Sequence, residues 1–404
     1  MIFQKQCNYK KISLKHFRCM YLEVSNVIGD SKFAGGGFAT VHVSKAWVTA
    51  TTFKIVAIKK VKNLDKLAIK DFKNLEKEVK YSALANHENC VTLYRTLIQN
   101  NSIYFIQDYC AFGSVHDIIC AIDKFSYGLP TSVVLHVLYG VASGLNYLHN
   151  SGFIHRSLEG QHVLISYDGS VKLSGFRYIT EVECGKNFNF PKTNDSTRLN
   201  FLAPEILSQN SSGYDQKSDV YSLGILVCYL CNGIIPFSEF ISPARMFLEK
   251  ITGARPYRLK ILKFVKKFSN LEKKILYLFD SSTALYLSKQ KPEKIPDAYF
   301  SKTLSPQLHL LARDLLATTP EARPDLNFLL EPDNPDFTLF TDFGIFDQTK
   351  TKREIHRQIW PAEPVYACNE SLESLQVLES IDVPCFEIEA QQYSIKNTDS
   401  VIAI

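Results

Sequence analysis

The sequence predicts an α+β fold of two lobes, a small β-rich lobe over residues 26–110 and a larger helical lobe over residues 111–334. Three observations carry this. The apolar run Ile55-Val56-Ala57-Ile58-Lys59 reads as a strand ending in a lysine. Glu78 stands nineteen positions on, at the head of Glu78-Val79-Lys80-Tyr81-Ser82-Ala83-Leu84, which suits a helix. A second strand, Ile103 to Tyr109, runs into a polar connection before Gly113-Ser114 opens a helix. Beyond it, His155-Arg156-Ser157, Leu173-Ser174-Gly175-Phe176-Arg177, Ala203-Pro204-Glu205, Asp219 and Arg323 follow in an order that chance does not readily produce.

In chain order, residues 1–25 read as a loosely ordered basic extension, with Lys5, Lys10, Lys11, Lys15 and Arg18 and no acid in the first twenty positions. Ala34-Gly35-Gly36-Gly37-Phe38-Ala39-Thr40-Val41 is a turn of small residues, able to bring backbone N–H groups close to a ligand. Val220 to Val227, continuing through Cys228 and Cys231, reads as a buried helix. Residues 255–300 interrupt the helical lobe. There Arg258, Lys260, Lys263, Lys266, Lys267, Lys273 and Lys274 alternate with Ile261, Leu262, Phe264, Val265, Phe268 and Leu271, the pattern of an amphipathic helix, read as a solvated surface insertion with a docking site as the alternative. Residues 335–404 are polar and irregular, a tail with scattered aromatics.

Composition excludes several classes. With 46 basic and 41 acidic residues the net charge is +5, all of it attributable to the first twenty residues, so neither nucleic acid nor an anionic membrane is expected as a partner. Ten cysteines are scattered, and Cys228 with Cys231 has no second pair at finger spacing to close a metal site; core packing is the expected role. The N-terminus lacks the apolar stretch of a secretory signal. A reducing compartment, cytoplasmic and nuclear, is expected.

The ordered motifs resemble those of protein kinases over about three quarters of the chain. That resemblance implies that Lys59, paired with Glu78, holds nucleotide phosphates and that the glycine-rich turn covers them. In this chain Ala34, Gly36 and Ala39 stand on the three glycine positions. Candidate nucleotide contacts are Ala34, Gly35, Gly36, Gly37, Phe38, Ala39, Val41, Ala57, Lys59, Glu78, Gln107, Asp108, Tyr109 and Cys110.

The same resemblance implies what is missing. A kinase uses a catalytic-loop Asp as base, an Asn five positions later and the Asp of Asp-Phe-Gly to hold magnesium. Those positions carry Ser157, His162 and Gly175, and Glu159 stands where a phosphate-supporting lysine is expected. No catalytic residue and no metal site remain, and phosphoryl transfer should be negligible. Arg177 replaces the glycine of the metal motif, and its guanidinium could stand near the phosphates in place of magnesium. The alternative is that Arg177 pairs with an acid such as Glu159 or Glu78 and fills the cleft. Glu205 with Arg323, Asp219, and the His155–Phe176 column match structural features of kinases.

His-Arg-Ser, His162 followed by an apolar run, Ser174-Gly175-Phe176-Arg177, the stretch Gly213 to Ser222 and Asn232 to Phe237 narrow the resemblance to the STRAD family of pseudokinase adaptors. It implies a catalytically inactive adaptor that binds nucleotide and adopts a closed, active-like conformation; because the magnesium ligands are missing from this chain, ATP binding independent of magnesium is expected. Such an adaptor activates an LKB-type serine/threonine kinase together with a helical-repeat scaffold of the Mo-twenty-five kind. Phe386-Glu387-Ile388 is similar to the Trp-Glu-Phe that ends STRAD chains and docks on that scaffold. Two other readings remain open: an unusual active kinase using His162 as base, and a scaffold with an empty cleft.

Overall fold

The computed structural model describes residues 34–36, 39–47, 53–99, 101–121, 128–182, 185–188, 190, 196–209, 211–233, 235–238, 242–251 and 306–331. The chain divides into two units, one of Val24–Lys45 with Ile55–Ala367 and one of Met1–Glu23, Ala46–Lys54 and Cys368–Ile404. Of the second, only 46–47 and 53–54 are described, and they are strand ends. The expected extension at 1–25, the insertion at 255–300 and the tail at 335–404 lie outside the described residues.

In the first unit the small lobe is an antiparallel sheet of β1 (Ala34–Gly36), β2 (Ala39–Trp47), β3 (Phe53–Lys62), β4 (Leu93–Gln99) and β5 (Ser102–Asp108), in the order β1-β2-β3-β5-β4. The β3–β5 register sets Ala57 opposite Gln107 and Lys59 opposite Phe105, so alternate residues of both strands share a face. Helix α1 (Ile69–Leu84) lays Leu75 and Val79, one turn apart, against Val61, Ile103 and Phe105.

The helical lobe holds α2 (Val115–Ala121), α3 (Thr131–Asn150), α4 (Ser196–Phe201), α5 (Pro204–Leu207), α6 (Lys217–Asn232), α7 (Pro243–Ile251), α8 (Pro306–Leu315) and α9 (Leu326–Leu330). Helix α6 is largely apolar and is buried from Ser218 to Asn232, as suits a central helix. At Gly224 a Cβ would lie 2.8 Å from Leu316 Cγ, so the missing side chain is what lets α6 and the end of α8 meet. Cys228 and Cys231 are buried thiols within this core. Short strands β6 (Phe153–Ile154), β7 (Val163–Ile165), β8 (Val171–Leu173) and β9 (Thr180–Glu181) pair as β6–β9 and β7–β8 and carry the loops that face the small lobe. This is the α+β two-lobed fold expected. Among the described residues no helix is long and apolar enough to cross a membrane.

Candidate functional site

A cleft of about 210 Å³ lies between the sheet and the helical lobe. Val41, Ala57, Lys59, Glu78, Gln107, Asp108, Tyr109 and Cys110 line it. Ala34, Gly35 and Gly36 form β1, paired with Val41, Thr40 and Ala39, and Ala39 packs on the core of the small lobe. Gly37 and Phe38 lie outside the described residues. The walls also include Ser82, Val91, Leu93, Gly113, Ser114, Asp117, Gln161, Leu164, Ser174 and Phe176, which motif matching did not single out as contacts. Three of these had a local signal. Ser82 is one helical turn beyond Glu78, and Ser114 with Asp117 forms a capping box: the Ser114 hydroxyl donates to Asp117 Oδ2 at 2.6 Å and accepts from the Asp117 N–H at 3.1 Å.

On the upper wall Lys59 Nζ meets Glu78 Oε1 at 2.5 Å. β3 aims the lysine and α1 aims the carboxylate, whose Oε2 is buried with no hydrogen-bond partner among the described residues. At the hinge, Asp108 accepts from the Tyr94 hydroxyl, from the Thr92 N–H at 3.1 Å and from Lys172 Nζ at 3.0 Å. Burial pushes this carboxyl upward, but the Tyr94 bond, the Lys172 charge and the Thr92 N–H outweigh it and hold the pKa at about 2. Asp108 is therefore a fixed anion tying β4 to β8 across the hinge.

The lower wall is built on Asp219 of α6, which accepts from the N–H groups of His155 at 2.7 Å and Arg156 at 2.9 Å and from His149 Nε2 at 3.0 Å. Those bonds fix the loop that carries Ser157. His155 is fully buried, donates Nε2–H to the Ser174 carbonyl at 2.9 Å, and sets its ring edge-on to Phe176 at 5.7 Å. Burial, against the opposing pull of Asp219, lowers its pKa to about 4, so the ring is neutral at pH 7.

His162 donates Nδ1–H to the Ser157 carbonyl at 2.7 Å, with the Ser157 hydroxyl at 3.3 Å and Glu159 Oε1 at 3.3 Å from the same nitrogen. Its ring lies over Gly175. That glycine has φ 86°, and a Cβ there would sit 2.5 Å from His162 Cγ. The imidazole thus occupies the space in which a side chain at 175 would begin.

Arg177 departs from expectation. It does not line the cleft, and neither Glu159 nor Glu78 is its ion-pair partner. The turn Phe176–Tyr178 carries it toward helix α1, where Nη2 meets Asp71 Oδ1 at 2.6 Å. The guanidinium is thus engaged by a carboxylate of helix α1 in place of the cleft position expected of it.

Beneath the site, Arg323 forks onto Glu205 with bonds of 2.6 and 2.9 Å, with its side chain fully buried. Its remaining N–H groups donate to the carbonyls of Ala317, Lys217 and Thr318. A buried pair this fully bonded holds a loop in one place.

The protein kinase domain family matches residues 30–334. The chain is 33% identical to STE20-related kinase adapter protein alpha of Homo sapiens over 304 residues, which is 73% of this chain and 69% of that protein. Identity to the alpha protein of Gallus gallus is 35% over 244 residues, covering 58% and 61% of the two chains. It is 30% over 308 residues to the beta protein of Homo sapiens, covering 73% and 72%.

Proposed function

The chain belongs to the protein kinase domain family and, within it, to the STE20-related kinase adapter proteins, and from that premise we propose that it is an inactive, ATP-binding adaptor that allosterically activates an LKB-type serine/threonine kinase. A helical-repeat scaffold of the Mo-twenty-five kind completes the assembly. The observation that carries this reading is a closed frame around changed chemistry. The Lys59–Glu78 pair at 2.5 Å, the His155–Phe176 column and the Glu205–Arg323 fork stand around Ser157, His162 and Gly175. A serine hydroxyl is no carboxylate base, and glycine offers a metal nothing.

The cleft suits a nucleotide in its residue chemistry. Val41, Ala57 and Leu164 offer apolar surface for a base, Lys59 offers a cation for phosphate, and Glu78 Oε2 is a buried acceptor awaiting a donor. ATP itself supplies negative charge that Lys59 neutralises. With no carboxylate at 157 or 175, binding is expected to be independent of magnesium.

The test is reconstitution of the partner kinase and scaffold with the full chain, followed by an assay of peptide phosphorylation. Allosteric coupling of ordinary size predicts a rise of roughly 5–150-fold. A partner equally active with and without the chain contradicts the reading. For the scaffold, the proposed docking segment is Phe386, Glu387 and Ile388, outside the described residues. Two apolar anchors around one carboxylate suit a groove with a basic rim. Replacing Phe386 and Ile388 by Ala in the tail peptide should cost roughly 2–4 kcal/mol by fluorescence anisotropy.

A further inference from the structure

Helix α7 turns one charged side chain inward. Met246 and Lys250 stand one helical turn apart, and both are buried, at 3% and 2% exposure. A lysine is almost never sealed from water unless something holds its charge. Around Lys250 that something is the end of helix α4. A helix leaves its last carbonyls without intrahelical donors. Lys250 Nζ donates to the carbonyls of Leu199 at 3.2 Å, Asn200 at 2.5 Å and, just past the helix, Leu202 at 2.9 Å. The Phe201 carbonyl between them accepts from Ser222 Oγ at 2.8 Å.

Two aromatic rings close the site, with Nζ 5.0 Å from the centre of Phe237 and 5.5 Å from that of Tyr221. Glu205, the acid whose charge reaches Lys250, is bonded through both oxygens to Arg323. Carbonyl dipoles and ring faces therefore stand where a counter-ion would. Three acceptors require the charged form: a neutral amine has two N–H groups, and only the ammonium supplies three donors. Burial works in the opposite direction and draws the pKa well below the usual lysine value, with Glu205 pulling it back. The capped helix also reaches the lower wall of the cleft, since Arg198 Nη2 of α4 donates to the carbonyl of Arg156, the residue before Ser157, at 3.1 Å.

We propose that the carbonyls of Leu199, Asn200 and Leu202, with the rings of Tyr221 and Phe237, form a cation site built into the core and filled in cis by Lys250. Lys250 is thereby a positioning residue: its ammonium fixes the end of α4 and, through Arg198, the loop that carries Ser157. The ligand class the site takes is a primary ammonium, whose three N–H groups match the three carbonyls while its single carbon substituent leaves along α7. The inference goes beyond the adaptor reading, because it invokes neither nucleotide nor partner. Shortening the side chain should open the same site to a small primary ammonium from solution.

The measurement is hydrogen–deuterium exchange of the full chain as wild type, Lys250→Met and Lys250→Ala, in sodium chloride and in methylammonium chloride of equal concentration. Lys250→Met keeps the apolar stem but leaves three buried carbonyls without donors. Amides of residues 198–207 should then exchange at least about tenfold faster, while those of α3 stay within about twofold of wild type. Lys250→Ala should show the same acceleration in sodium chloride, and methylammonium, which replaces the lost end of the side chain, should reverse most of it. Methylammonium should change neither the wild type nor Lys250→Met, whose thioether fills the site. Exchange of 198–207 in Lys250→Met within about twofold of wild type overturns the proposal, as does equal exchange of Lys250→Ala in the two salts. If the variants loosen α3 as well, or fail to fold, heteronuclear NMR of lysine-labelled wild type decides. A slowly exchanging Lys250 Nζ signal split by three protons at neutral pH supports the charged plug, and the signal of a neutral amine overturns it.

Discussion

The upper wall of the cleft keeps a lysine and a glutamate in contact at 2.5 Å, while the lower wall has a histidine ring packed against a glycine at which a Cβ would lie 2.5 Å from it. The difference teaches which parts of the fold are held by shape and which by chemistry. Lys59–Glu78, Asp219 with its three donors, and Glu205–Arg323 each join elements that must meet for the lobes to form. Ser157, His162 and Gly175 instead pack on one another, with His162 Nδ1 on the Ser157 carbonyl and its ring against Gly175.

The strongest way to break that comparison is to attack the frame. Arg323→Met leaves the Glu205 carboxylate buried and uncompensated, at a cost of roughly 3–5 kcal/mol. A denaturant midpoint unchanged by this substitution would mean that the pair is not structural. Next comes pH. His155 has a folded pKa of about 4, against about 6.5 unfolded. Between these values the unfolded chain binds more protons, so the contribution is complete above pH 6.5 and is lost as pH falls toward 4. The expected loss is roughly 3 kcal/mol, and His155→Phe should flatten this slope in urea titrations repeated across the window.

The retained upper wall predicts a ligand effect of similar size. ATP at one hundred times its dissociation constant should stabilise the protein by about 2.7 kcal/mol, equally with magnesium and with EDTA. Lys59→Met should remove the shift, and a shift abolished by EDTA would contradict the account of the lower wall. The smallest effect sharpens the comparison from below. Gly175→Asp forces a side chain into a left-handed backbone at φ 86° and into the His162 ring, for a loss of roughly 2 kcal/mol. Adding His162→Asn should recover part of it, with a coupling above about 0.5 kcal/mol in the double-mutant cycle. Strict additivity would show that the two positions are independent.

The frame was legible because its motifs are local or regularly spaced. A strand bearing Lys59, a helix bearing Glu78 and a largely apolar α6 are written in period and order. Arg177 was not legible. Its neighbours in sequence point to the cleft, but its partner Asp71 lies 106 residues upstream on the first turn of α1, and no spacing encodes a contact that only the packed turn at Phe176–Tyr178 creates. The fit between His162 and Gly175 was hidden for a related reason. Both substitutions were visible as losses, while their steric complementarity is a property of the folded loop. The hinge network of Asp108, Tyr94 and Lys172 likewise joins three strands whose side chains carry no shared motif.

The central claim, a retained frame without its chemistry, meets its most direct test in transfer of labelled phosphate from ATP by the purified chain, to itself and to a generic protein substrate, with magnesium and with manganese. The account predicts no incorporation above that of Lys59→Met. Incorporation that exceeds this control and disappears in His162→Ala would contradict it and identify an active kinase with a histidine base.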